Sequence, residues 1–520
     1  MSAPGPAPRL SWRNINETIE SHIAGTGITT NDLNASFTLS SAYLVFFMHC
    51  GFAMLSVGSV RARFSKNICI LILVDACASA IGFYFLGYAF AFGDDPESPN
   101  KFIGTKFFVM SGLPALDAAA MPQYYQWLFQ WSFAATACTI VSGAIAERTR
   151  FPVYVVYSFF MAAWVYPIVV HSVWSPFGWA SMARSTGSLL AGTGAIDFAG
   201  SGAVHMVGGF AAAVGALIVG PRIGRFLPDG TVIDMPGHNA SLFVLGVMIL
   251  WFGWYGFNPG SQQAMTAGAM AAVSNAAVTT TLAPAAAGLA GVTFQAIRSY
   301  RATGKPVYDV MAMGNGALAG LVGITSACST VYPWAALIIG AVAGVLYCIG
   351  STVSVRIKLD DPLDAVAVHA WNGLWGVIAV GFFASKDLIV QSYGPVLLTD
   401  ADPVPERKGG LFMGGGGNLL GAQVIYAAWI AVWVVGMMFP FWFILNKFGL
   451  MRVLPDDEVL GLDDSQHGGS AYPGGPEEAS DRSLSAARTA PTLQQFQLLK
   501  TELELVKRTM ANSNGNHREA

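Results

Sequence analysis

The sequence predicts an all-α integral membrane protein with about eleven transmembrane helices, arranged as a five-plus-five inverted repeat. The composition indicates a membrane protein, because 53% of the 520 residues are hydrophobic and only 11% are charged. Soluble proteins carry roughly 25% charged residues, so this chain has too few to coat a water-soluble body of its size. The 58 glycines agree with the class, since glycine is frequent where membrane helices pack closely.

Each predicted span is an apolar run close to the ~20 residues that cross a bilayer. Most Lys and Arg residues of the connecting loops fall in the odd-numbered loops, including Arg61, Arg148 and Arg298. Positive residues favour the cytoplasmic side, which predicts the N-terminus outside and the C-terminus inside. The predicted spans are 39–60, 68–92, 124–146, 151–173, 200–220, 239–258, 269–297 (long enough to be tilted or interrupted), 308–328, 333–355, 363–383 and 418–446.

Polar segments flank the membrane region at both ends. Residues 1–38 are predicted to be an extracellular N-terminal segment, in which the sequons at Asn16 and Asn34 are candidate glycosylation sites. Residues 39–446 form the predicted transmembrane domain, and residues 447–520 a cytoplasmic regulatory tail. A capping-box pattern at 492–495, followed by apolar residues at 3,4 spacing, predicts a short terminal helix at 492–512. This helix would dock on its own protomer or pair between subunits.

Two histidines in the predicted spans stand in similar contexts. An ionisable group inside a bilayer costs at least ~2.5–3.5 kcal/mol, so each one needs a reason. His205 opens the fifth span in the pattern Asp197-x7-His205, and His369 lies early in the tenth span in the pattern Asp364-x4-His369. The two lie five spans apart, and an odd offset means that the two halves run in opposite directions. This favours an inverted repeat with a site near the bilayer midplane.

Three interpretations of these histidines stay open on the residues alone. They are separate core residues bonded to neighbouring helices, a facing pair in a narrow pore, or metal ligands. A metal site needs more ligands, and neither a third candidate nor a C-x-x-C pattern is present, so no metal or cofactor is predicted. A facing pair of neutral imidazoles can share one proton and line a row of small polar permeants. The net charge of −3 gives no basic face for nucleic acid.

Several long motifs follow one another along the chain: SGAIAERT at 142–149, DFAGSGAVHMVGG at 197–209, WFGWYGFNPGS at 251–261 and GLFMGGGG at 410–417. Together they resemble the superfamily of ammonium transporters, methylammonium permeases and Rhesus proteins. The resemblance extends from about residue 40 to residue 472. It is closer to the plant-type ammonium transporter subfamily than to Rhesus proteins, as Trp174 and the segment at 461–472 indicate.

The resemblance implies a homotrimer in the lipid bilayer, expected in the plasma membrane, with one pore in each protomer. The roles that it implies are recruitment of ammonium outside, an aromatic gate and a histidine-lined pore. The residues that match these roles are Trp174, Phe133, Ser261 and Asp197 for recruitment, Phe133 and Phe257 for the gate, and His205 and His369 for the pore. Glycine usually follows the second pore histidine in the family, whereas Ala370 and Trp371 follow it here, which puts fine selectivity in question.

These side chains also suit ammonium on physical grounds. A cation over an aromatic ring gains ~0.5–2 kcal/mol, and a serine oxygen accepts an N–H bond that an alkali ion cannot offer. We therefore expect passage of ammonium, as ammonia plus a separately relayed proton, with methylammonium as a further permeant. Two alternatives are an ammonium sensor that signals through its tail and a membrane enzyme. An enzyme would need a nucleophile or a metal set near the histidines, and none is evident.

The segment at 461–472 resembles the tail of plant-type members that docks under a neighbouring protomer. Phosphorylation within that segment shuts the trimer in the family, and Ser465 occupies the corresponding position. A phosphate adds about −1.5 to −2 charges, which would be repelled by Asp463 and Asp464 and could undock the tail. Ser465 is therefore the candidate phosphosite and a kinase an expected partner; the alternative is an unmodified, exposed serine.

Overall fold

The structure is a computed structural model that describes residues 29–114, 123–184, 187–394 and 406–472. Regular secondary structure within these ranges is helical, and strand pairing is limited to isolated bridges such as that between Thr149 and Arg452. Ten of the helices described are long and apolar enough to cross a membrane. The all-α, multi-pass membrane class predicted from composition is thereby confirmed.

The apolar helices are numbered α1 to α11 in chain order, and each coincides with one predicted span. The exception in length is α8, whose 16 residues give about 24 Å at 1.5 Å per residue, less than a full span. The helices are α1 (Thr30–Ser59), α2 (Ala62–Phe92), α3 (Tyr124–Ile145), α4 (Phe151–Trp174), α5 (Ser201–Val219), α6 (Ala240–Gln262), α7 (Met270–Thr303), α8 (Val310–Thr325), α9 (Pro333–Arg356), α10 (Val366–Phe383) and α11 (Asn418–Lys447).

One predicted boundary needs correction. α1 begins at Thr30 rather than at residue 39, because Thr29 and Asp32 form a capping box. Thr29 Oγ1 accepts the Asp32 N–H at 3.2 Å, and Asp32 Oδ2 accepts the Thr29 N–H at 2.7 Å. Residues 30–38 are too polar to register as an apolar run, so hydrophobicity alone missed them. Of the two alternatives for the long span at 269–297, interruption is not seen, since α7 is one continuous helix of 34 residues with Pro284 inside it.

Glycines let several helix pairs approach backbone to backbone. A Cβ on Gly58 of α1 would lie 2.4 Å from the Phe243 N of α6, and a Cβ on Gly340 of α9 would lie 2.0 Å from the Ala283 O of α7. Association in lipid depends on such close packing, because apolar side chains gain little there by leaving the surrounding acyl chains. α3 lies innermost, with every residue from Phe129 to Ile145 buried, and it therefore contributes to the centre of the bundle.

Four loops meet in one buried ion network, called here the loop cluster: Arg61, Glu147, Arg222 and Asp360. Glu147 Oε2 accepts from Arg61 Nε at 2.7 Å and lies 3.3 Å from Arg222 Nη1. Arg222 Nε and Nη2 each donate to Asp360 at 2.9 Å. Burial alone would raise the pKa of Glu147, but Arg61 and Arg222 hold that pKa at about 2. The four loops are those predicted to share the cytoplasmic side, so the cluster fastens one end of the bundle.

We expect Glu147→Gln to lower the free energy of unfolding by about 3–5 kcal/mol, because it leaves buried guanidinium groups without their counter-charge. The pKa of Glu147, about 2, lies below the ~4.3 of an unfolded glutamate. Its contribution is therefore complete above about pH 4.3 and is lost as the pH falls toward 2. Thermal unfolding in detergent, followed by tryptophan fluorescence across this pH range, measures both effects.

The control is Glu406→Gln, which removes one partner of the exposed Lys386–Glu406 ion pair. Exposed pairs contribute little, so this variant is expected to unfold close to the wild type. Equal unfolding temperatures for the two variants would contradict the structural role of the loop cluster.

Candidate functional site

A continuous file of rings, called here the ring file, runs through the bundle. It consists of Trp174, Phe133, Phe257, His205 and His369. Phe133 meets Trp174 edge to face at 5.9 Å between ring centroids, and it stacks on Phe257 at 4.0 Å. Phe257 lies 5.6 Å from His205, and His205 lies 5.2 Å from His369. The side chains come from α4, α3, α6, α5 and α10, so only the folded bundle assembles them.

The two imidazoles at the end of the file contact each other directly. Their Nδ1 atoms are 3.2 Å apart, so one Nδ1 donates and the other accepts. Both side chains are buried, and His205 also stacks on Trp254 at 5.1 Å. His205 Nε2 is buried and has no hydrogen-bond partner among the described residues. The structure thus supports the facing-pair interpretation, and it leaves one nitrogen available to a permeating molecule.

Each histidine lies in a π-helical turn at the start of its helix. These turns are Ser201–Met206 in α5 and Val366–Trp371 in α10. Such turns are uncommon and frequently mark functional sites, because the wider turn shifts a side chain away from the regular helical register. The same device at both positions is what an inverted repeat predicts.

Asp197 caps the first π-helical turn. Its Oδ2 accepts the N–H groups of Gly202 and Ala203 at 3.1 and 2.7 Å and the Tyr426 hydroxyl at 3.1 Å, and its Oδ1 accepts from Ser326 Oγ. Its backbone carbonyl accepts from Trp174 Nε1 at 2.7 Å. Asp197 therefore positions both α5 and the first ring of the file. Its carboxylate is already occupied, so any effect on a cation would act through the electrostatic potential.

The residue of the second half that corresponds to Asp197 is Asp361, and not Asp364 as the sequence pattern suggested. Asp361 Oδ2 accepts the Val366 N–H, five residues on, as Asp197 accepts that of Gly202. Burial, with repulsion from Asp364, raises the pKa of Asp361 to about 7. Asp361 could have been identified from the sequence, because seven residues separate it from His369, as seven separate Asp197 from His205.

Asp364 has a different role from the one that the sequence pairing gave it. Its carboxylate oxygens accept from the Tyr347 hydroxyl and Ser351 Oγ, each at 2.9 Å, so it ties the start of α10 to α9. Its φ of 57° lies in the left-handed region, a conformation that costs energy outside glycine. The two hydrogen bonds compensate for this strain.

Below the histidine pair lies a small cavity with about 30 Å³ of space for water-sized molecules. A water needs ~10–15 Å³ by this measure, so the cavity has room for about two. His369, Trp254, Asn315 and Thr139 are among its lining residues. The cavity continues the ring file toward the end of the bundle that carries the loop cluster.

Ser261 lies in a 3₁₀ turn after Phe257 and is half-buried. Its Oγ donates to the Phe257 carbonyl at 2.7 Å. The hydroxyl proton is thus engaged, and the oxygen lone pairs are left to accept from an N–H donor. This is the chemistry that the recruitment role predicts.

The two residues that depart from the family pattern are accommodated by glycines. The Ala370 backbone lies against Gly209, where a Cβ would be 2.2 Å from the Ala370 N, and the Trp371 ring lies against Gly350 of α9. The indole is therefore packed between α10 and α9. The bulk of Trp371 is thus accommodated by helix packing.

The described part of the tail, up to residue 472, contacts the start of α2 in its own chain. Asp463 Oδ2 and Oδ1 accept the N–H groups of Lys66 and Asn67 at 3.0 and 2.9 Å, capping the start of the α-helical part of α2, Ser65–Gly82. Asn67 Nδ2 lies 2.9 Å from His467 Nε2. Ser465 is half-buried, and its Oγ is buried without a hydrogen-bond partner. A kinase could reach that oxygen only after the tail detaches.

The remaining sequence candidates are placed as follows. Asn34 lies in the first turns of α1, where its Oδ1 accepts the Met265 N–H at 2.9 Å and the Thr266 hydroxyl at 3.0 Å, which holds this side chain against the α6–α7 connection. Asn16 and the predicted helix at 492–512 lie outside the described residues. Glycosylation stays a prediction for both asparagines.

The chain is similar to known proteins over most of its length. The model of the Ammonium Transporter Family matches residues 36–472. Ammonium transporter 1 member 3 of Solanum lycopersicum is 43% identical over 461 residues, covering 87% of this chain and 96% of that protein. Ammonium transporter 1 member 2 of Oryza sativa subsp. japonica is 46% identical over 442 residues, covering 83% and 85%. A solved structure described as a Sensor Amt Protein is 31% identical with a TM-score of 0.71, covering 84% and 98%.

We expect Gly209→Ala to destabilise the fold by about 1–3 kcal/mol and to separate the two imidazoles, because its Cβ would overlap the Ala370 N and the His369 carbonyl carbon. The matched control is Gly421→Ala in α11, where nothing lies within 4 Å of the added Cβ. Thermal unfolding in detergent compares the two. Equal stability of both variants would contradict the close approach of α5 and α10.

Proposed function

This chain belongs to the ammonium transporter family, and on that premise we propose that it moves ammonium through the ring file by an electrogenic route. The family is one of transporters, so the protein is a transporter and not an enzyme. Ammonium is recruited outside, gives up a proton, and crosses the gate and the histidine pair as ammonia while the proton follows separately. The observation that carries this proposal is the unbroken series of ring contacts that ends on a buried, mutually bonded imidazole pair.

Recruitment rests on the faces of Trp174 and Phe133 and on the hydroxyl of Ser261. A cation over these rings gains ~0.5–2 kcal/mol, and more as water is removed. The Ser261 oxygen accepts an N–H bond, because its own proton is engaged with Phe257. Potassium has no N–H to donate, so this combination favours ammonium and methylammonium over alkali ions.

Deprotonation follows from the stack of Phe133 on Phe257. Two rings 4.0 Å apart leave no room for a hydrated ion between them, so a permeant must shed its water and move the rings. A desolvated cation in an apolar passage costs far more than neutral ammonia. Loss of the proton before the gate is therefore the lower-energy route.

The histidine pair then supplies hydrogen bonds where water is excluded. Ammonia can donate to or accept from His205 Nε2, which is otherwise unpaired. The shared Nδ1–Nδ1 bond lets one proton lie on either ring, so a proton can be handed across the pair. Ammonium supplies both the neutral permeant and the proton, which accounts for net movement of charge.

Substituting His205 or His369 with alanine is expected to reduce ammonium-over-potassium selectivity, or the charge carried per ammonium, by about tenfold. That factor corresponds to loss of roughly 1.4 kcal/mol, the scale of one hydrogen bond. Voltage-clamp current on ammonium addition, paired with uptake of labelled methylammonium, measures both quantities.

The control is His49→Ala, which removes an intramembrane imidazole outside the ring file, bonded at 3.2 Å to the Phe46 carbonyl. It is expected to retain wild-type selectivity. The mechanism fails if both pore variants keep the wild-type current and selectivity.

We also propose that the tail gates transport through Ser465. The contacts that support this are the Asp463 cap on α2 and the burial of Ser465 Oγ beside it. A phosphate there adds about −1.5 to −2 charges at the point where Asp463 is bound. Once the tail has detached and Ser465 is phosphorylated, repulsion would prevent the cap from re-forming, and the family resemblance predicts that this state is closed.

Ser465→Asp is expected to reduce methylammonium uptake several-fold, and Ser465→Ala to retain it. Gln466→Glu is the matched control, since it adds a negative charge one residue away on an exposed side chain. Uptake by each variant is normalised to protein at the cell surface. Undiminished uptake in Ser465→Asp would refute this gating, as would an equal loss in Gln466→Glu.

We propose the same topology that the sequence predicts, with eleven spans and a glycosylated N-terminus outside. We also propose that the protein is a homotrimer in the plasma membrane. Support for association comes from α1 and α6, which pack together and leave large apolar side chains exposed, among them Phe46, Phe47, Met248 and Phe252. These side chains suit lipid or further copies of the chain.

An ammonium sensor is the second candidate function, favoured by the similarity to the solved Sensor Amt Protein. A sensor can keep every pore residue, so the site does not separate the two functions. The paired current and uptake measurement does. Neither signal, from protein shown to be at the surface, would favour the sensor.

A further inference from the structure

A buried carboxylate lies apart from the ring file, within α2. Asp75 is fully buried, and its Oδ2 accepts the Tyr154 hydroxyl at 2.7 Å. Its Oδ1 has no hydrogen-bond partner, and no cationic side chain among the described residues pairs with it. An ionisable group at this depth needs a reason, and the mechanism proposed above does not use this one.

Two more buried oxygens without partners lie beside this carboxylate. Thr139 Oγ1 of α3 and Ser158 Oγ of α4 both interact with Asp75, and neither reaches hydrogen-bond geometry. The other titratable neighbours are Tyr157 and Cys138. A hydroxyl can accept from a protonated carboxyl group and can donate to an ionised one. The pocket therefore serves both protonation states of Asp75 after small rotations of these hydroxyls.

Thr139 belongs to this pocket and also to the cavity below the histidine pair. That cavity, lined in addition by His369, has room for about two waters. One threonine side chain thus separates the Asp75 carboxylate from the space into which the ring file opens.

We propose that Asp75 is a proton-exchanging group of the inner cavity, coupled to it through the Thr139 hydroxyl. A hydronium in the cavity gives a proton to Thr139 Oγ1 while the hydroxyl proton of Thr139 passes to Asp75 Oδ1. The products are water, an intact threonine and a neutral carboxylic acid, and the reverse step returns the proton. This inference rests on the proposed electrogenic route, for which it provides a resting place for the relayed proton.

The first test compares the charge carried per methylammonium in the wild type and in Asp75→Asn, which keeps an acceptor for Tyr154. We expect the ratio of current to uptake to fall at least twofold while uptake persists. Thr139→Val should show the same fall, and Thr139→Ser, which keeps the hydroxyl, should not. If the ratio of current to uptake is unchanged in Asp75→Asn and in Thr139→Val, the role of Asp75 is overturned but the proposed electrogenic route is not. Uptake without current in the wild type overturns the proton relay as well.

A second measurement does not depend on transport. Infrared spectra of the purified protein should show the carbonyl stretch of a protonated carboxylic acid, which Asp75→Asn removes and which changes when ammonium is added. Tyr154→Phe should shift this band. Tyr157→Phe should not, because the Tyr157 hydroxyl donates to the Cys138 carbonyl at 3.1 Å. If Asp75→Asn does not fold, the comparison of Tyr154→Phe with Tyr157→Phe tests the proposal in its place. Equal infrared spectra for these two variants overturn the proposal.

Discussion

The approach of α5 to α10 at Gly209 determines the geometry of the candidate pore. At this point the two backbones lie closer than any residue with a Cβ would permit. Gly373 repeats the contact from the other helix, where a Cβ would lie 2.7 Å from the Ser201 carbonyl. The two π-helical turns are held together by these glycines, and the imidazoles meet at 3.2 Å as a consequence. The pair is thus a product of backbone packing.

The same packing explains why buried polar groups cluster near the two turns. The first N–H groups of each helix have no acceptor within the helix, and a bilayer offers no water to replace the missing bonds. Asp197 and Asp361 each supply the absent acceptor from eight residues before a histidine. Each carboxylate thereby holds a histidine-bearing turn in place, and in this way acts on the pore without lining it.

The ends of the helices are fixed by charge, where water and ions can contribute. The loop cluster joins four loops through Arg222, which bonds to both Glu147 and Asp360. The tail adds a further cap through Asp463 on α2. The helices are closely packed at the centre of the bundle, and their contacts at one end are ionic. Under the proposed gating, a charge added to the tail would therefore act on helix ends while the ring file stays assembled. In the proposed gating, regulation and permeation would therefore use different physical interactions in the same helices.

The membrane class and the apolar helices could be predicted from the sequence, because hydrophobic length is a local property, and the residues of the ring file could be predicted from the family resemblance of local motifs. The start of α1 was not predicted, because the capping box at Thr29 is polar, and Asp364 was paired with Asp197, because the equal spacing of Asp361 from its histidine was not used. The hydrogen bond between the two imidazoles, the packing of Trp371 on Gly350 and the position of Asp75 one side chain from the inner cavity could not be predicted in this way. Those facts depend on distances between helices, which are set by backbone contacts among residues far apart in the chain.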